Sequence, residues 1–169
     1  MKKISGQNQV QLVKDYVSKC HKEGNTVLIV KGVFDLIHPD HIKTLERLSK
    51  LADELVVLLI PDSAASLIKP GRPILPESAR QKVVSNLKPV KKCFIDYDSR
   101  DSKTKKYSKD RDIELLKEIS PDMWALSENN FSKFEKYDLG KIELIKYEEG
   151  ANYSTTKIIS KILEKYAKA

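Results

Sequence analysis

The chain has 169 residues, 31 Lys and Arg against 24 Asp and Glu, a net charge of +7 and 40% hydrophobic residues. That length suits one domain with a proper core, and no apolar run approaches the roughly 20 residues needed to cross a bilayer. The basic residues are spread and mixed with acids, so a solvated surface explains the charge first, anionic small substrates second and nucleic acid a distant third.

A single domain over residues 1–169 is therefore expected, with no membrane and no nucleic acid among its partners. Met1-Lys2-Lys3 leads into polar residues and not an apolar run, so no secretory signal is expected there. Cys20 and Cys93 lie far apart in different elements, with neither metal spacing nor a disulfide framework, so a reducing cytoplasm is expected.

Gln9 to Lys22 carries Val10, Val13, Val17 and Cys20 on one stripe, with Leu12 and Tyr16 beside it, and Gly24-Asn25 stops the helix. Thr26 to Lys31 predicts a strand whose apolar run, Val27 to Val30, is continuous, as in strands buried on both faces. A helix is predicted from about Ile42 to Leu51, and a second buried strand from Leu55 to Ile60. Pro61-Asp62 opens a short helix through Leu67, and Lys69-Pro70-Gly71-Arg72-Pro73 breaks regular structure. Pro76-Glu77 starts a helix through Leu87, and Lys91 to Asp96 is the third strand.

Asp98 to Arg111 is the most polar stretch and reads as an exposed loop. Asp112 to Ile119 predicts a helix, Asp122 to Leu126 a strand, and Phe131, Phe134 and Tyr137 a short irregular helix. Lys141 to Tyr147 alternates as the last strand, and Ser154 to Ala167 closes the chain as a helix. Strands alternating with helices imply an α/β, Rossmann-like three-layer sandwich with a five-stranded parallel sheet. Ligands of such sheets sit beyond the strand C-termini where strand order reverses, and the first strand is expected to flank that point.

The most informative stretch is Lys31-Gly32-Val33-Phe34-Asp35-Leu36-Ile37-His38-Pro39-Asp40-His41. Gly32 ends the strand, where backbone can approach a ligand. His38 and His41 stand three apart at a helix start, and a helix N-terminus suits phosphate. From the residues alone, the histidines could equally be satisfied by backbone, or be half of a metal site that no Glu or Cys cluster completes. Ser154-Thr155-Thr156 reads by itself as a helix N-cap, and Asp35 as a turn cap.

This stretch resembles the Gly-x-Phe-Asp-x-x-His-x-Gly-His signature of the nucleotidyltransferase superfamily that includes cytidylyltransferases and small adenylyltransferases. Ser154-Thr155-Thr156-Lys157-Ile158-Ile159 is similar to the family's C-terminal Ser-Thr-Thr-x-Ile-Ile motif. Lys69 to Arg80 resembles the corresponding loop of heptose-1-phosphate adenylyltransferases and of archaeal-type FMN adenylyltransferases.

The resemblance implies that His38, His41 and Lys69 act on the phosphates during catalysis. It implies nucleotide contacts from Gly32, Val33, Phe34, Asp40 and Arg80, the last with a salt bridge to Asp or Glu as its competing role, from Ser127 and Asn129, and from Ser154, Thr155 and Thr156. Lys31, Asp35 and Arg72 fall at the acceptor end. The implied reaction passes a nucleoside monophosphate to a phosphate-bearing small molecule and releases pyrophosphate. ATP comes ahead of CTP, Mg2+ accompanies the nucleotide with no protein ligand assigned to it, and a homodimer is the common assembly. A sugar 1-phosphate leads as acceptor, with FMN and glycerol-3-phosphate-type cytidylyl transfer as alternatives.

Three positions depart from the pattern. Ser127-Glu128-Asn129-Asn130 replaces a Lys-Gly-Gly-Asp-like segment, Glu148-Glu149-Gly150 lacks an arginine, and Asp40 stands where the family has glycine. A carboxylate about 4 Å from phosphate costs about 4 kcal/mol at an effective dielectric near 20. Asp40 therefore helps hold Mg2+, points away, or marks a nucleotide-binding module without turnover.

Overall fold

The computed structural model describes residues 6–68, 71–96 and 108–166. Five parallel strands form one sheet in the order β3-β2-β1-β4-β5. They are β1 (Val27–Gly32), β2 (Glu54–Leu59), β3 (Lys92–Ile95), β4 (Met123–Ser127) and β5 (Glu143–Tyr147).

Seven helices accompany the strands among the described residues. In chain order they are α1 (Gly6–Lys22), α2 (Pro39–Leu48), α3 (Asp62–Ile68), α4 (Glu77–Val84), α5 (Lys109–Ile119), α6 (Glu128–Phe134) and α7 (Thr155–Tyr166).

The central strand shows why two helical layers are needed. Val27 and Ile29 enter one apolar cluster, with Val13 and Val17 of α1 and Leu116 of α5. Leu28 and Val30 enter the other, with Leu45 of α2 and Val84 of α4. Residues 27–30 are wholly buried, and each such side chain contributes about 1.5–3 kcal/mol of burial. The chain winds from β1 to β3 in one direction and then crosses to β4 on the other side of β1. Strand order thus reverses between β1 and β4, the expected place for a ligand.

Element boundaries differ from the predicted ones at several ends. Helix α2 begins at Pro39, three residues early, because proline at the first position has no N–H to lose and a suitable φ. Helix α5 begins at Lys109, where Ser108 accepts a hydrogen bond from the Arg111 N–H, so Lys109 to Arg111 are helical and not loop. Helix α6 starts directly from β4, so Glu128 to Asn130 form its first turn. Leu12 lies off the buried stripe of α1, at 46% exposure.

Candidate active site

The loop between β1 and α2 is held in strained conformations. Phe34 and Leu36 have φ of 48° and 46°, a left-handed region that side-chain-bearing residues seldom adopt outside functional sites. A Cβ on Gly32 would come within 2.8 Å of the Phe34 ring, so the glycine makes room for that ring. Phe34 in turn lies 5.5 Å from the His41 ring, centroid to centroid.

The two histidines meet. Their rings stack at 3.7 Å between centroids. His38 is the N-cap of α2, with extended backbone and no side-chain cap bond. Its Nδ1 is buried and has no hydrogen-bond partner among the described residues. Burial holds its imidazole below the usual pKa, against an opposing pull from the Asp40 carboxylate. His38 lines the cleft at the α2 N-terminus, whose free N–H groups are suited to an anionic ligand.

The start of α7 closes on the same place. Ser154 Oγ accepts the Lys157 N–H at 3.1 Å, the N-cap role visible from its residue type. Thr155 is buried and donates its hydroxyl to the Asp35 carbonyl at 2.7 Å, which fastens α7 to the strained loop. Thr156 lines the cleft.

That cleft has a volume of about 610 Å³ and lies at the C-terminal ends of β1 and β4. Among the described residues, it is lined by every expected site residue except Arg80 and Asn129. Lys69 lies outside the described residues.

Four expected site residues are held by partners within the protein. Arg80 is fully buried, and its guanidinium donates to the carbonyls of Val33, Ile60 and Leu75 and to Asp62. It clamps the loops beneath the cleft and does not line it. Lys31 is held between Asp96, at 2.5 Å, and Asp112. Burial works against its charge, but the two carboxylates outweigh this and raise its pKa. Its ammonium is thus engaged in tying β1 to α5 and to the residue after β3.

Asp35 is likewise engaged. It accepts from Arg72 Nε at 3.1 Å, Ile74 N at 2.9 Å and Leu75 N at 3.1 Å, so it shapes the 72–75 loop. Arg72 keeps a place on the cleft wall through this pair. Asp40 lines the cleft and accepts the Tyr153 N–H at 2.8 Å. That bond, more than any other influence, holds its carboxyl below the ordinary range.

Asn129 does not line the cleft, whereas its neighbour Asn130 does and donates to Ser127 Oγ at 3.2 Å. Lys109, Lys133 and Tyr147 also line it and were not expected from the sequence. The spacing of Asn130 and Lys133, three apart on a helix and bonded at 2.8 Å, was the available signal. Burial, ahead of the Glu149 charge, pushes the Tyr147 phenol up to about 12, which keeps it a neutral donor.

Two helix N-termini, two imidazoles and a hydroxyl turn therefore border one cleft. A family model described as cytidylyltransferase-like matches residues 29–161. The chain belongs to the cytidylyltransferase-like family. Both His38-Pro39-Asp40-His41 and Ser154-Thr155-Thr156 fall inside the segment matched to that family.

A FAD synthase of Archaeoglobus profundus is 35% identical over 147 residues, covering 81% of this chain and 86% of its own length. A FAD synthase of Aciduliprofundum boonei is 30% identical over 149 residues, 82% of this chain and 91% of its own. Bifunctional protein HldE of Syntrophotalea carbinolica is 32% identical over 91% of this chain, which spans only 30% of that larger protein. The crystal structure of a lipopolysaccharide core biosynthesis protein from Thermoplasma volcanium superposes with a TM-score of 0.55 at 27% identity. The superposition covers 76% of this chain and all of that one, so the two share a fold.

Proposed function

We propose that the protein is a nucleotidyltransferase that passes AMP from ATP to the phosphate of FMN. One observation carries the choice of acceptor: two relatives named FAD synthase, at 35% and 30% identity, align with this chain over 86% and 91% of their own lengths. A sugar 1-phosphate is the second reading, favoured by the HldE match and by the lipopolysaccharide core biosynthesis structure.

In either case an acceptor phosphate oxygen attacks the α-phosphorus. The bond from that phosphorus to the bridging oxygen breaks, and pyrophosphate leaves with the electron pair. The acceptor phosphate is already ionised near neutral pH, so alignment and charge neutralisation are the main tasks. His38 and His41 would bind the phosphates from the α2 side, and Ser154, Thr156 and the N–H groups of α7 from the other. Lys69 would supply an ammonium to the same phosphates.

Among the described residues, no group of three or more His, Cys, Asp or Glu is placed to hold a metal. Asp35 and Asp40 are already engaged by backbone N–H groups. The residues present thus fit a Mg2+ that arrives on the triphosphate, as magnesium commonly does in such sites. When bound, it neutralises charge developing on the phosphates.

The test is pyrophosphate release with Mg2+ and ATP or CTP against FMN, sugar 1-phosphates and glycerol 3-phosphate. ATP with FMN is expected to be fastest. Preference for a sugar phosphate would move the assignment to the second reading. No turnover with any acceptor, with ATP still raising Tm, would indicate a nucleotide-binding module.

A further inference from the structure

Asp40 is a carboxylate at the mouth of a site that would bind polyphosphate, and its surroundings give it a task. It lies in the first turn of α2, next to the stacked histidines. Its Oδ2 accepts the Tyr153 N–H at 2.8 Å, with the Asn152 N–H as a further contributor. These N–H groups immediately precede Ser154 and the start of α7. A Cβ placed on Gly150 would overlap the Cβ, Cγ and Oδ2 of Asp40, so only glycine at 150 permits this approach.

Two other bonds join the same segments. Arg47 of α2 donates to the Glu148 carbonyl at 2.9 Å, and Thr155 donates to Asp35 ahead of α2. Arg47 is exposed, and the Thr155 bond reaches the loop and not the helix. Among these contacts, Asp40 is the buried one that joins the first turn of α2 to the turn that launches α7.

We propose that Asp40, seated on Gly150, is a positioning residue that sets the separation of the two helix N-termini which grip the triphosphate. The proposal rests on the nucleotidyltransferase reading above. A hydrogen bond to a charged acceptor is stronger than one between neutral groups, and a carboxylate turned to backbone N–H groups presents less charge to the cleft. The side chain that should repel phosphate thereby organises its site.

Two accounts of Asp40 make opposite predictions. If the carboxylate opposed the phosphates, Asp40→Ala and Asp40→Asn would both tighten ATP binding. As a positioning residue, Asp40→Ala raises the KM for ATP by about tenfold and lowers kcat, because one charge-assisted bond is lost. Asp40→Asn keeps an acceptor oxygen and recovers most of that loss.

Gly150→Ala tests the contact from the other side. It should weaken ATP binding in the native chain, and its effect should largely vanish in an Asp40→Gly background, where no Cβ stands in the way. The experiment is a titration of ATP–Mg2+ on these variants, with hydrogen exchange read at the Tyr153 amide.

Loss of Tyr153 protection together with weaker ATP binding in Asp40→Ala is the expected result. Unchanged protection, or lost protection with unchanged affinity, overturns the proposal, as does tighter binding. Native protein that binds no ATP overturns the nucleotide reading and the positioning role with it. The exchange result would still report whether the bond from Tyr153 to Asp40 holds the segment.

Discussion

Replacing Arg80 should cost stability first and activity only as a consequence. Its side chain is fully buried and bridges the carbonyls of Val33, Ile60 and Leu75, three segments that meet under the cleft. The ion pair to Asp62 adds little, because that carboxylate is 41% exposed. Arg80→Ala leaves three acceptors without this donor, at about 1–3 kcal/mol each if none finds water. Relaxation and hydration reduce the sum, so a loss of about 3–5 kcal/mol is expected, similar to breaking a buried charge pair.

For a chain of this size that lowers Tm by roughly 10 °C. Arg80→Lys should regain little, since one compact ammonium cannot span the same acceptors. Urea unfolding of the three proteins near neutral pH measures this directly. An Arg80→Ala protein of native stability that no longer binds ATP would refute the reasoning, because the guanidinium would then face the phosphates.

His41→Ala is expected to lower kcat by about a hundredfold or more, the scale seen on removing one preorganised donor; a near-native rate in the pyrophosphate assay would count against its role. The depressed pKa of His38 predicts a pH effect on stability. Below the ordinary histidine value of about 6.5 the unfolded chain takes up a proton that the folded chain resists, so stability falls as pH drops through that range. His38→Gln should flatten that part of the urea-midpoint profile, and an unaltered slope would contradict it. Lys31→Met leaves the buried carboxylates of Asp96 and Asp112 facing each other without their cation, and should destabilise by about 3–5 kcal/mol despite the added apolar surface. Calorimetric melting would detect it.

The sheet was legible because its signal is local. The unbroken run Val27 to Val30 announces a strand with two buried faces, and the structure seats alternate residues in two apolar clusters. The histidine pair and the hydroxyl turn were legible as motifs, and they do border one cleft. The tasks of the charged residues were not, because each depends on distant partners. The bond from Tyr153 to Asp40 joins residues 113 apart, and that from Lys31 to Asp112 joins residues 81 apart.

Nor does any local pattern reveal that the acceptors of Arg80 are backbone carbonyls. Charged side chains around a cleft invite assignment to its ligand. In this protein Lys31, Asp35, Asp40 and Arg80 hold the site's walls together.

The most direct measurement is a crystal structure of the protein with ATP and Mg2+. The triphosphate should lie between the His38–His41 pair and the first turn of α7, with imidazole nitrogens and backbone N–H groups about 2.7–3.2 Å from its oxygens. A triphosphate bound elsewhere on the molecule, with that mouth empty, would contradict the account.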